Sequence, residues 1–163
     1  MRNLPLILLL LLCFTSCKSS KINTKDARDL VEKRSRTKTD NIIATAKSFE
    51  GTKYKYGGTT AKGMDCSGLI YVSFKNEDVH LPRISRDMAT KGKPIQLNEV
   101  QKGDLLFFKT KAKGGSINHV GLVVNATKNN IEFIHATTSK GVVTSSLSET
   151  YWKRAFRRAK RIL

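Results

Sequence analysis

The stretch Gly63-Met64-Asp65-Cys66-Ser67-Gly68-Leu69-Ile70 decides the fold. A polar run ends at Gly63. Beyond Cys66 the apolar residues Leu69, Ile70, Val72 and Phe74 fit a 3.6-residue period better than strict alternation. Asp65 is of the N-cap type, so the pattern predicts a helix from Cys66 to about Asn76 with the cysteine in its first turn. A thiol there lies at the positive end of the helix dipole, beside unpaired N–H groups, which favours the thiolate. The competing reading is a buried structural cysteine. Its neighbours Asp65, Ser67 and Gly68 are poor core residues, which weighs against that.

The 163 residues around this stretch suffice for one domain with a modest core. Hydrophobic residues make up 39% and charged residues 26%, a globular rather than a disordered composition. Thirty Lys and Arg stand against 13 Asp and Glu, a formal charge of +17 that suits a polyanionic neighbour. Neither paired zinc cysteines nor an aromatic RNA-binding strand is present, so nucleic acid is not the expected partner.

The N-terminus narrows the choice. Met1-Arg2 is a minimal basic start, and Leu4 to Phe14 is an apolar run too short to span a bilayer and right for a signal peptide. It ends Phe14-Thr15-Ser16-Cys17, where small residues before cysteine resemble a bacterial lipobox, with Phe14 in place of the usual Leu. Residues 1–16 are therefore read as a lipoprotein signal peptide and Cys17 as the lipidated first residue. Cys13 leaves with the signal, so Cys66 is the one thiol left to the mature chain and no intrachain disulfide can form. Residues 17–39 carry Lys, Ser, Thr, Arg and Asp with few large apolar residues, and read as a solvated basic tether.

The folded domain is expected over 40–163. Thr39 or Asp40 caps a short helix bearing Ile42, Ile43, Ala46 and Phe49, closed by Gly51. Tyr54 to Gly58 reads as an extended piece and a turn, and Ile84 to Ala89 as a helical turn ended by Gly92-Lys93-Pro94. Then the pattern changes to strands: Ile95-Gln96-Leu97 at an edge, Leu105 to Phe108, His119 to Val124, Ile131 to His135, Val142 to Thr144 and Arg157 to Leu163. Lys111 to Ser116 is a loop, Asn129-Asn130 a turn, and Tyr151-Trp152 a helical turn or loop. Helices first and strands afterwards predict an α+β domain, with the helices on one side of an antiparallel sheet.

A reactive thiol needs a base and a group that orients the base. Of the three histidines, His80 sits in a loop with nothing catalytic beside it. His119 starts one strand and His135 ends the next, so an antiparallel hairpin brings their ends together. Ordinary cross-strand polar packing is the plainer reading of that pair. A metal site built from Cys66 and both histidines is less attractive, because the spacing fits no common zinc pattern.

Tyr54-Lys55-Tyr56-Gly57-Gly58, Asp65-Cys66-Ser67-Gly68, Leu81-Pro82-Arg83, Gly103-Asp104-Leu105, His119-Val120-Gly121, Phe133-Ile134-His135-Ala136 and Tyr151-Trp152 form an ordered series. The series, from about Asp40 to Leu163, resembles the NlpC-type papain-like cysteine peptidases, and within them the small lipoprotein murein endopeptidases. The resemblance implies a papain-like fold and a Cys–His–His triad: Cys66 the nucleophile, His119 its base, His135 the residue that orients His119. It implies that Tyr54 stands near the oxyanion and that Asp65 and Ser67 flank the nucleophile and line the substrate site. The connection Lys128 to Glu132 is longer than in the family, so its turn is expected to protrude. No metal or other cofactor is implied.

The expected function is hydrolysis of amide bonds in peptidoglycan stem peptides, by a monomer anchored through Cys17 to the outer membrane and facing the periplasm. With no wall-binding domain ahead of Asp40, action on cross-linked wall as an endopeptidase is favoured over trimming of free ends. An acyltransferase on the same fold and a non-catalytic wall-binding lipoprotein are the alternatives. The second has no use for Cys66, His119 and His135 together.

Overall fold

The computed structural model describes residues 38–111 and 115–163. The expected signal peptide, Cys17 and the tether up to residue 37 lie outside them, as do 112–114 of the Lys/Gly loop. Helix α1 covers 38–48 of the described residues. Positions 38–40 are already helical, so Thr39 and Asp40 are not its caps as expected. Lys38 Nζ ties this helix to the chain beyond it by donating to the Glu77 carbonyl at 2.9 Å. Ile42, Ile43 and Ala46 form its buried stripe. Gly51, with φ +83, ends the turn after α1, and its N–H donates to the Val142 carbonyl at 2.9 Å.

Two short strands, β1 (Thr59–Thr60) and β2 (Gly63–Met64), pair as a small hairpin that the sequence pattern did not foretell. It leads into α2, Cys66–Lys75, whose N-cap is Asp65 and whose C-cap is Asn76. Leu69, Ile70 and Phe74 are buried on one face of α2. Helix α3, Ser85–Met88, adds Met88 to the same layer.

A six-stranded antiparallel sheet receives these helices. Its strands are β3 (Lys93–Ile95), β4 (Leu105–Phe108), β5 (His119–Ala126), β6 (Ile131–Thr137), β7 (Gly141–Ser146) and β8 (Phe156–Arg161). They lie in the order β3-β8-β4-β5-β6-β7. The run Leu105-Leu106-Phe107-Phe108 is wholly buried because both faces of the sheet are covered. Leu105 and Phe107 pack towards the N-terminal helices, together with Val120, Leu122 and Ile134. Leu106 and Phe108 pack the other way, with Val123, Phe133 and Trp152. Each fully buried side chain of this size contributes about 2 kcal/mol of hydrophobic stabilisation.

Helices are not confined to one side as expected. The short α4, Thr150–Ala155, lays Trp152 and Ala155 on the far face. The edge strand also differs: it is Lys93–Ile95 and ends where Gln96 and Glu99 form a capping box around a 3-10 turn, Leu97–Glu99. An edge position tolerates Pro94, which has no N–H to donate. The β5–β6 connection closes with a Thr127 N–H to Asn130 carbonyl bond of 2.8 Å. Its exposed tip lies at the opposite end of the hairpin from His119.

Candidate active site

Cys66 is set in place by the groups that build the start of α2. Asp65 Oδ1 accepts the Gly68 N–H at 2.6 Å and the Ser67 hydroxyl at 3.2 Å, and its Oδ2 accepts the Gly57 N–H at 2.7 Å. Arg83 closes the structure. Its Nη1 donates to Asp65 Oδ1 and to Ser67 Oγ, and its Nη2 to Asp65 Oδ2, each at 2.9 Å. Burial pushes the Asp65 carboxyl up, but Arg83, Gly68 and Gly57 together hold it below its ordinary value. A side chain at Gly68 would strike the Gly58 carbonyl, so only glycine allows this close approach. Tyr54 is brought alongside by its bridge to Met64, the residue before Asp65. Burial, with the Cys66 and Asp65 charges, pushes its hydroxyl up.

The two histidines meet as a hydrogen-bonded pair, His119 Nε2 to His135 Nδ1 at 2.8 Å. His135 Nε2 lies 3.1 Å from Ser145 Oγ on β7. The chain of bonds fixes tautomers. For His119 to offer a lone pair at Nδ1, its Nε2–H must donate to His135 Nδ1. His135 then carries its proton on Nε2 and donates it to Ser145 Oγ. Trp152 encloses the pair: its ring stacks on His119 at 5.3 Å between centroids and meets His135 edge-on at 4.6 Å. His135 is fully buried and His119 nearly so.

One cavity of about 880 Å³ is lined by Tyr54, Asp65, Cys66, Ser67, His119 and Trp152, with Arg83 and Thr137. It opens where the start of α2 meets the start of β5. His135 sits behind His119, outside the lining. His80 is exposed and elsewhere. Among the described residues, no three His, Cys, Asp or Glu side chains converge as a metal-binding group.

Protonation in the cavity departs from the expectation of a resting thiolate. Burial pushes the Cys66 thiol up to about 11, the Val120 N–H draws it down, and the Asp65 charge raises it further. The N–H groups of Ser67 and Cys66 also favour the thiolate, but burial dominates. Burial takes His119 down to about 4 and, with the neighbouring His119 charge, His135 to about 3. Burial thus favours the neutral thiol at Cys66 and the neutral imidazole at His119, two groups that line the same cavity.

Three residues of this arrangement were given no role in the sequence reading. Arg83 stood in the ordered series, but its pairing with Asp65, 18 positions away, left no local signal. Trp152 stood there too, in the helical turn or loop expected between two strands. Ser145 carried no signal, because its role appears only when β7 pairs with β6.

Residues 51–161 match the sequence pattern of the NlpC/P60 family. The chain is 39% identical to a probable endopeptidase NlpC of Escherichia coli, over 96% of this chain and 97% of that protein. It is 36% identical to the murein DD-endopeptidase MepS/murein LD-carboxypeptidase of the same organism, over 71% of this chain and 58% of the relative. A crystal structure of an NlpC/P60 family protein from Bacillus cereus superposes with a TM-score of 0.69 at 29% identity, covering 77% of this chain and 40% of that one.

Proposed function

The chain belongs to the NlpC/P60 family, and on that premise we propose that it is a cysteine peptidase that hydrolyses amide bonds in peptidoglycan stem peptides, acting as a murein endopeptidase. The observation that carries this reading is the His119–His135 bond of 2.8 Å, at a cavity that Cys66 also lines. In this scheme the Cys66 thiol attacks the scissile carbonyl while His119 Nδ1 takes its proton. The Cys66 N–H and the Tyr54 hydroxyl receive the oxyanion, one such donor being worth about 3 kcal/mol. The imidazolium at His119 is steadied by His135, which accepts the Nε2 proton in a hydrogen bond. His119 then protonates the leaving amine, and water activated by the same imidazole hydrolyses the thioester. Asp65 and Ser67 shape the groove rather than reach into it, since their polar atoms are taken up by Arg83 and by backbone N–H groups.

The protein works, in this reading, as a monomer held by lipid on Cys17 in the cell envelope, at the outer membrane and facing the periplasm. The sequence Thr15-Ser16-Cys17 after an apolar run supports the anchor. Digestion of purified peptidoglycan, with the products identified by mass spectrometry, tests the activity. New amino and carboxyl ends within cross-linked stem peptides are expected from the wild type and none from Cys66→Ala. Release of sugar fragments instead would sink the peptidase reading.

A further inference from the structure

A second cavity, of about 310 Å³, adjoins the first and shares Arg86, Ser116 and Ile117 with it. Lys109, Arg157 and Arg158 complete a wall of four cations, and no carboxylate side chain among the described residues lines it. Consecutive residues of a regular strand point to opposite faces. Arg157 and Arg158 escape that rule because the β4–β8 register pairs Phe107 with Arg158 and Phe108 with Phe156, leaving Arg157 as the extra residue of a bulge. Nη1 of Arg157 is pinned by the carbonyls of Arg154 at 2.9 Å and Phe156 at 2.6 Å. Nε and Nη2 of Arg157 have no partner among the described residues. Lys109 is placed by its N–H, which donates to the Ala155 carbonyl at 2.8 Å. Among the described residues, the one carboxylate in an ion pair with a member of the group is Asp87, 3.5 Å from Arg86 and half exposed.

Four like charges gathered around one cavity repel one another, and an anion bound among them relieves the repulsion. The planar, two-pronged guanidinium matches the paired oxygens of a carboxylate, the anion that a peptide in the adjoining groove carries. We propose that this cavity is a carboxylate subsite, which holds a free carboxylate of the same peptide whose amide bond lies in the adjoining groove. The proposal rests on the peptidase reading and narrows its substrates to peptides bearing a carboxylate near the cleaved bond.

Calorimetry on the full chain carrying Cys66→Ala tests binding apart from turnover. The ligands are murein peptides released from purified wall, untreated or with their carboxyl groups converted to amides. The untreated peptides should bind roughly tenfold more tightly. Adding Arg157→Gln and Arg158→Gln should shrink that preference to less than about twofold. If that variant does not fold, Arg86→Gln with Lys109→Gln should shrink it likewise. Equal affinity for both ligands, or a preference that survives the substitutions, would overturn the subsite. A preference without any cleavage by the wild type would uphold the subsite and sink the peptidase reading. Cleavage by the wild type with equal affinity would do the reverse. Loss of binding to phosphatidylglycerol vesicles in the double-arginine variant, with peptide preference intact, would assign these cations to the membrane and overturn the proposal.

Discussion

Cys66 and His119 line one cavity, and burial favours the uncharged form of each, which makes the pH profile informative. With the thiol up to about 11 and the imidazole down to about 4, the proposed mechanism works from the neutral pair between those values. The kcat/KM profile should therefore be flat from about pH 5 to about pH 9. A resting thiolate–imidazolium pair predicts otherwise: activity would fall between about pH 8 and pH 9 as the imidazolium lost its proton. In the proposed mechanism the residues behind His119 act by fixing its ring, through the bonds to His135 and on to Ser145. His135→Asn and His135→Gln keep an oxygen that can accept the Nε2 proton, so they should retain partial activity, while His135→Ala loses considerably more. Ser145→Ala removes the acceptor that holds the His135 tautomer. It should lower kcat/KM about fivefold, matching roughly 1 kcal/mol for a single hydrogen bond. Ser145→Thr, which keeps the hydroxyl, should restore most of the loss. A Ser145→Ala enzyme with unchanged kcat/KM and pH profile would remove Ser145 from the relay.

At the scale of elements, the site depends on how β4 and β8 are clamped. Asp104, almost wholly buried at the start of β4, receives Arg161 Nε and Nη2 on its two oxygens, both at 2.8 Å. Arg161→Met leaves that carboxylate without a counter-charge and with the Gln101 N–H, at 2.8 Å, as its remaining donor, and a loss of about 3 kcal/mol is expected in chemical denaturation. Asp104→Asn with Arg161→Met should recover part of it, since no buried charge is left unpaired. The elements themselves were legible where their signals are local. Asp65 capping Gly68, Gly51 ending the turn after α1 and the Asn129-Asn130 turn all act within a few residues of the chain. What escaped was the product of distant pairing. The insertion of β8 between β3 and β4, the bulge at Arg157 and the placing of α4 on the far face depend on partners that the local pattern does not specify. The edge strand was misplaced for a nearer reason: the capping box between Gln96 and Glu99 outweighs the apolar Leu97 and ends the strand at Ile95.

For the whole molecule, two buried histidines tie stability to pH. Their folded values, about 4 and about 3, lie below the ordinary 6.5, so the unfolded chain binds more protons at acid pH. Stability should be level above about pH 6.5 and decline as pH falls towards 4. Replacing His135 by Gln should flatten that decline, as denaturation midpoints at several pH values would show. The anchor is a separate matter: Cys17→Ser should abolish incorporation of a labelled fatty acid, and label retained in that variant would remove Cys17 from the account. That Cys66 and His119 share a cavity, with His135 bonded behind His119, was legible because a lone cysteine at a helix start and two histidines at the ends of a hairpin are local signals. Arg83 and Ser145 needed coordinates, because a salt bridge across 18 positions and a bond between neighbouring strands leave no periodic trace. The central claim is that Cys66 forms the covalent intermediate, and acid quenching during turnover of murein peptides tests it most directly. Peptide mapping by mass spectrometry should find a thioester carrying the acyl half of the substrate on Cys66 alone, and neither adduct nor cleavage with Cys66→Ala. Cleavage that persists in Cys66→Ala, or an adduct on another residue, would contradict the account.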